Sequence, residues 1–394
     1  LLMEVLWFQC AGPGGDTIRW LRNTAYSLAA LGVTGVFGAL SLRYDWLAAR
    51  FYSRPFTLEE RLLTESRILW DYVGQWCAPN LAKMGLYHDD IVISRSLFEP
   101  LSTLASSLAW VLVVIIAAIL GFWRGGRYLA FGIFVYLVGH SIESSVWPLE
   151  LYFEHRNYFP SLGLLLLLGA LLGLIMSKMP EIRAPVLVWL GCIGLILAAM
   201  TSSQVTIWSS RPLLVLAHVN GHPNSTRANI DMAVQLARLG DVGAAHQYSL
   251  KAFEVTNIER KGDYLLRNVS LSCIAGARID RVQVDEIGSN GNYRPFSSVT
   301  PLLTFARFVQ DDECHGEDAI YVADHLQSLF LGESLSHTTS ANNYANLAVL
   351  ENALGRYNFA LRYTDIFLAR SPTSTRGLLM RLHFSRILGE ESAA

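Results

Sequence analysis

Residues 150–161 read Glu-Leu-Tyr-Phe-Glu-His-Arg-Asn-Tyr-Phe-Pro-Ser, which makes Glu154, His155 and Arg156 neighbours at the edge of an apolar run. Three ionisable groups in a row at a membrane surface are costly unless they are paired or used. An arginine such as Arg156 can hold a lipid phosphate through two parallel hydrogen bonds. Glu143 and His140 come shortly before and, with Glu154, His155, Arg156 and Tyr158, could line a polar pocket. The alternative is an interfacial anchor in which Glu154 and Arg156 pair with each other. A second set is Tyr87-His88-Asp89-Asp90, followed by Ser94-Arg95-Ser96. Adjacent carboxylates beside a histidine suit a hard divalent cation or a general base. His88, Asp89 and Asp90 are therefore the candidates for catalysis, with solvated loop residues as the alternative.

Other polar stretches carry less. The run from Asp311 to Asp318 has metal-like composition, but a surface loop that opens a helix with Glu317 and Asp318 near its N-terminus accounts for it better. Asn224-Ser-Thr and Asn268-Val-Ser match the glycosylation acceptor pattern, which is common by chance. There is no phosphate-binding glycine loop, dinucleotide fingerprint or Gly-x-Ser-x-Gly elbow. None of the five cysteines pairs with another at metal-ligand spacing, so no zinc site is expected.

The elements that must position these residues are read from hydropathy. The chain has 394 residues, 52% hydrophobic and 16% charged, with mean hydropathy +0.31. Nearly all the excess apolar content lies before residue 208. A membrane-spanning helix needs roughly 20 mostly apolar residues. Five stretches qualify: residues 24–42, 101–123, 128–147, 160–176 and 185–208. Leu1 to Cys10 reads as the tail of an earlier span, so the chain is expected to lack its true beginning. Arg19 and Arg22, Arg124 and Arg127, and Lys178 and Arg183 fall in alternate short loops, which the positive-inside rule makes cytoplasmic. The loop 43–100, the loop around Arg156 and everything after residue 208 are then expected outside the cytoplasm. Leu58 to Val73 has helical spacing, with Leu62, Leu69 and Val73 on one side. It is expected to lie in the membrane interface, with Trp70, Tyr72 and Trp76 near headgroup level; a core helix of a small external domain is the alternative.

Residues 209–394 have the composition of a soluble domain. Ala228 to Asn257, with Ala233, Gly240-Asp241, Ala245 and Ala252, shares a pattern with Tyr344 to Pro372, which has Leu347, Ala348, Gly355-Arg356 and Ala360. Small residues at these places let two antiparallel helices pack closely across a turn opened by glycine. That spacing resembles the tetratricopeptide (TPR) repeat of about 34 residues, with Phe367 standing where a small residue is usual. Helices near 265–279 and 300–330 are expected to fill the stack between them. The fold class is therefore all-α: a multi-pass transmembrane bundle (1–208) followed by an extracytoplasmic TPR-like α-solenoid (209–394). Outside the cytoplasm Cys273 and Cys314 could form a disulfide; two buried free thiols are the alternative. A formal net charge of −2 argues against nucleic acid as a partner.

The string from Glu154 to Gly163, after Glu143-Ser-Ser-Val-Trp-Pro-Leu, resembles the membrane core of the transmembrane-and-TPR O-mannosyltransferase-like proteins. Arg61 to Leu69 and Tyr87-His-Asp-Asp are similar to the external loop of the same group, and the order of membrane core then TPRs agrees. The resemblance implies a GT-C-type glycosyltransferase in a bacterial inner (plasma) membrane, with its C-terminal domain periplasmic. Such enzymes transfer a sugar from a polyprenyl-phosphate donor to a protein or peptide acceptor. Their main catalytic carboxylate usually lies in an earlier external loop than any here. This chain would then carry the lipid- and acceptor-facing part: donor phosphate at Arg156 and His155, Asp89 and Asp90 positioning the donor or a divalent cation, and the acceptor on the TPR groove. Two other classes remain: a non-enzymatic membrane-anchored TPR scaffold for envelope or pilus assembly, and an O-antigen ligase- or polymerase-like enzyme.

Overall fold

The structure, a computed structural model, describes residues 42–51, 54–123, 125–255, 261–287, 300–331 and 341–389. These residues are all-helical, and the chain divides into two compact units, Leu1–Thr206 and Ile207–Ala394. The stretch expected to span over 24–42 lies, apart from Leu42, outside the described residues, as do Leu1 to Cys10 and Arg124.

The first unit contains α1 (Tyr44–Ala49), α2 (Leu58–Cys77), α3 (Ser102–Gly121), α4 (Gly126–Gly139), α5 (Tyr158–Lys178) and α6 (Arg183–Ser209). Among the described residues, three helical stretches are long and apolar enough to cross a membrane: Ser102–Gly121, Glu154–Lys178 and Pro180–Ser209, with mean hydropathies of 2.5, 2.3 and 2.1. Their apolar side chains face outward rather than into a core, as lipid rather than water requires. The expected span over 128–147 is shorter. α4 ends at Gly139 after 14 residues, or about 21 Å, and residues 140–146 form turns where Ser141, Glu143, Ser144 and Ser145 interrupt the apolar run. α4 and α5 pack backbone to backbone. A Cβ on Gly132 would lie 2.7 Å from Leu167 N and 2.8 Å from Gly163 O, and one on Gly163 would lie 2.6 Å from Gly132 O.

α2 starts in a capping box: Thr57 accepts from Glu60 N, and Glu60 accepts from Thr57 N. Leu62 is exposed, and the buried stripe is Leu58, Arg61, Thr64, Glu65, Ile68 and Tyr72. A polar stripe can be interior here because each polar member has a partner: Arg61 donates to carbonyls of the segment 143–149 and pairs with Glu65, Thr64 accepts from Ser94 N, and Tyr72 bonds Phe153. Tyr72 is buried, donating to Phe153 O at 3.0 Å and accepting from Phe153 N at 2.9 Å, while Trp70 stacks on Trp110 of α3 at 4.4 Å.

The second unit contains α7 (Arg211–Gly221), α8 (Thr226–Arg238), α9 (Val242–Glu254), α10 (Lys261–Ile274), α11 (Arg281–Asp285), α12 (Thr300–Gln310), α13 (Gly316–Leu331), α14 (Ala341–Ala353), α15 (Tyr357–Arg370) and α16 (Thr375–Leu388). α8 packs on α9 and α14 on α15, each as a hairpin. The turns pass through Gly240 (φ +82°) and Gly355 (φ +70°), a left-handed backbone that glycine adopts without strain. Ala228, Ala233, Ala245, Ala252, Ala348 and Ala360 are buried where the helices approach. Phe367 is also buried, and the room for its ring comes from α16: a Cβ on Gly377 would lie 2.9 Å from Phe367 Cε1. The acidic run opens α13, with Glu317 and Asp318 in the first turn. Cys273 and Cys314 are joined in a disulfide within the core.

Candidate functional site

The polar residues of the first unit meet where α2, the loop 84–96 and the turn before α5 come together. Glu154 opens a short 3-10 turn (Glu154–Asn157) that leads into α5. Its Oε1 accepts from Gly85 N at 3.2 Å and lies 2.9 Å from His88 Nε2. The same His88 nitrogen is 3.2 Å from Gly85 O, so the loop and the turn are fastened together at one carboxylate.

Beside this fastening is a cleft of about 210 Å³ lined by Tyr72, Gln75, Trp76, Met84, Tyr152, Glu154, Asn157, Tyr158 and Ser161. Helical spacing builds two of its walls. Tyr72 and Trp76 are four apart on α2, and Asn157 and Ser161 are four apart across the start of α5. Tyr152 forms the floor, stacked on Tyr72 at 4.5 Å and against His88 at 4.4 Å. Burial pushes the Tyr152 and Tyr72 hydroxyls well above the usual phenol range, so both stay neutral donors. The lining thus joins aromatic faces to one carboxylate, two amides and a hydroxyl.

A second polar cluster lies under the loop 143–150. Arg61 is fully buried, 3.0 Å from Glu65, and donates to Ser145 O at 2.9 Å, Leu149 O at 2.6 Å and Glu143 O. Burial raises the Glu65 carboxyl to about 7, with Arg61 opposing the rise. Arg156 Nε lies 2.9 Å from Glu143 Oε2, its Nη1 donates to Glu150 O, and its guanidinium sits over the Phe153 ring. His140 is buried between Tyr72 at 5.3 Å and Tyr136 at 4.9 Å, with Nε2 3.3 Å from Asn157 Oδ1 and Nδ1 3.4 Å from Ser144 Oγ.

The expected site residues therefore separate. Glu154 and Tyr158 line the cleft, and His88 holds Glu154. Arg156 and Glu143 pair with each other instead, and His140 is held by Asn157 and Ser144. Glu154 and Arg156 do not form the pair that an interfacial anchor supposes. His155 is exposed beside Phe153. Asp89 and Asp90 form the turn after His88, and among the described residues no three His, Cys, Asp or Glu side chains are grouped to hold a metal ion. Gln75 and Met84 were not singled out from the sequence; Tyr152, Asn157 and Ser161 lie in the 150–161 string but were given no role of their own, and Trp76 was expected at headgroup level. The i, i+4 relations of Trp76 to Tyr72 and of Ser161 to Asn157 were the available signal that these residues share a wall.

A wider cleft of about 570 Å³ lies between α1 and the start of α2, lined by Tyr44, Phe51, Arg54, Phe56, Glu60 and Arg95 among others. Its charges are engaged: Arg95 pairs with Glu60 at 2.6 Å, and Arg54 donates to Pro148 O at 2.9 Å.

Comparison with family models, curated proteins and solved structures gives no match for this chain.

Proposed function

We propose that the first unit is the donor-facing part of a membrane-embedded glycosyltransferase that moves a sugar from a polyprenyl-phosphate carrier to an extracytoplasmic protein acceptor. One observation carries this reading: the cleft at the start of α5 joins the faces of Trp76, Tyr152 and Tyr158 to the Glu154 carboxylate, Gln75, Asn157 and Ser161. Aromatic faces with a few fixed polar groups suit a sugar ring, whose two faces are apolar and whose rim is hydroxyl. The apolar stretch Glu154–Lys178 begins at this cleft, so a prenyl chain in the bilayer would run beside it. Glu154, kept in place by His88 and Gly85, accepts a sugar hydroxyl. The donor phosphate lies on the exposed His155 side of the turn, and Arg156 shapes that turn through Glu143 and Glu150. Asp89 and Asp90 contribute by carrying His88. The hairpins of the second unit are read as TPR-like and present the acceptor. The Cys273–Cys314 disulfide supports placing that unit in an oxidising, extracytoplasmic space.

The test is binding of a short-chain prenyl-phosphate-linked hexose to the purified full chain, followed by tryptophan fluorescence. Glu154→Gln is expected to weaken binding at least about tenfold, the worth of one charged hydrogen bond, and Trp76→Ala to weaken it through the lost aromatic face. Unchanged affinity in both variants removes the sugar from this cleft. A second reading, a non-enzymatic TPR scaffold, is favoured by a different observation. Arg61 and Arg156 spend their donors on the carbonyls of Glu143, Ser145, Leu149 and Glu150, which explains the polar cluster as architecture without any ligand.

A further inference from the structure

The chain turns back on itself just before α3. Arg95 N donates to Glu99 O at 2.9 Å, and Ser96 and Glu99 exchange backbone hydrogen bonds at 3.4 Å. Leu97 and Phe98 are therefore the tip of a tight turn. Such positions usually hold Gly, Asn, Asp or Ser. Here they hold two large apolar side chains, and Phe98 is 69% exposed. The base of the turn is fixed at the start of α3. Ser94 Oγ lies 2.7 Å from Thr103 Oγ1 in the first turn of that helix, and both residues are buried. Ser94 N donates to Thr64 Oγ1 of α2 at 2.9 Å. Arg95 is held at the base by Glu60 at 2.6 Å, and the exposed Glu99 closes the turn. Leu101, the N-cap of α3, is exposed as well. With Ala105, Leu108 and Leu112 it forms an exposed apolar stripe at helical spacing. That stripe runs into Ser102–Gly121, a stretch long and apolar enough to cross a membrane.

We propose that Leu97 and Phe98 dip into the lipid interface beside the start of α3. Continuity selects lipid as the occupant. The same surface that covers Leu112, Leu108 and Leu101 meets the tip next, because the Ser94–Thr103 bond holds the turn level with the first turn of α3. The charges agree with this placement. Arg95 and Glu99 stand at the base, where headgroups and water reach them, and the tip carries none. A second copy of the chain or another protein fits less well. A stable protein interface needs about 800 Å² from each partner, which a two-residue tip cannot supply. Lipid needs no such area, because α3 itself holds the turn at the bilayer. None of this depends on what the cleft between α2 and α5 binds.

The experiment places a nitroxide spin label on Ser96→Cys, beside the native tip, in the full chain carrying Cys10→Ser, Cys77→Ser and Cys192→Ser. The chain is held in phosphatidylcholine nanodiscs. Oxygen concentrates in lipid and a charged nickel chelate stays in water, so the two relaxing agents report what covers the label. The label is expected to be open to oxygen and shielded from the chelate. Leu97→Ser with Phe98→Ser, a residue type that tight turns accept, should reverse the two accessibilities. Equal chelate access with and without these substitutions overturns the proposal. So does shielding from both agents, which means that protein covers the tip instead. Where the double variant does not fold, the unsubstituted tip decides alone: greater access for the chelate than for oxygen overturns the proposal.

Discussion

His88 Nε2 lies 2.9 Å from Glu154 Oε1, and this one pair ties the loop before α3 to the turn that starts α5. The histidine side chain is almost wholly buried and the carboxylate about two-thirds so. Both the cleft wall and the packing of His88 against Tyr152 depend on that meeting.

His88→Ala leaves Glu154 with the Gly85 amide as its remaining partner outside its own turn. The expected cost is about 1–3 kcal/mol, the penalty for a buried polar group that loses its partner. Thermal unfolding of the detergent-solubilised chain measures it. A midpoint equal to that of the unsubstituted protein would show that the pair does not hold the loop.

Arg61 and Glu65 predict strong non-additivity. Arg61→Ala strands a buried carboxylate and frees three carbonyls, so a loss of about 3–5 kcal/mol is expected. Replacing both by methionine removes the desolvation of two charges at once and is expected to cost less than Arg61→Ala alone. Unfolding midpoints of the two single variants and the double variant decide the point. Simple additivity contradicts a coupled pair.

Glu65 also sets a pH dependence. Its carboxyl is raised from the ordinary 4.5 to about 7, chiefly by burial. Between those values the folded chain holds a proton that the unfolded chain has released. The contribution of this group to stability is therefore greatest below pH 4.5 and falls as pH rises to 7. Glu351, in the second unit, is raised to about 7 by burial and adds a slope of the same sign. Glu65→Gln should flatten the dependence of the unfolding midpoint on pH, and adding Glu351→Gln should flatten it further. An unaltered slope in both variants would remove these carboxyls as its source.

Much of this architecture was legible in sequence, and the rest was hidden for identifiable reasons. α3, α5 and α6 follow from apolar runs without interior charge, and Gly240 and Gly355 mark the two hairpin turns. Periodicity places the apolar residues of α2 but does not report its buried polar stripe. Arg61 is interior because carbonyls of residues 143–149 accept from it, and Glu65 because Arg61 pairs with it; no local pattern reports so distant a partner. Glu154 was singled out as an ionisable group at an apolar edge, but its pairing with His88 is loop against turn and carries no periodic signal. Arg156 was read as a phosphate ligand from its type; Glu143 and the Glu150 carbonyl now engage it.

The approach of α4 to α5 gives a paired prediction. Gly132→Ala places a methyl 2.7 Å from Leu167 N and must push the two helices apart, for a loss of about 1–3 kcal/mol or more. Gly169→Ala, on the same α5, meets no atom within 4 Å. It is expected to be neutral or to stabilise by about 0.5–1 kcal/mol through the better helix propensity of alanine. Retention of a monodisperse peak by heated samples of each variant separates the two outcomes. Equal behaviour contradicts the close crossing.

The disulfide carries the last prediction, because it speaks to stability and compartment together. Cys273 and Cys314 lie 41 residues apart, and their bond closes a loop that the unfolded chain would otherwise explore. Replacing both by alanine should lower the stability of the second unit by about 2–4 kcal/mol. Cys77 is exposed, unbonded and outside the apolar stretches, so it supplies an internal control. In protein taken directly from cells under alkylating conditions, Cys77 should carry the label while Cys273 and Cys314 appear only after reduction. If the latter pair is alkylated without reductant, the second unit is held in a reducing space, and its proposed extracytoplasmic placement fails with it.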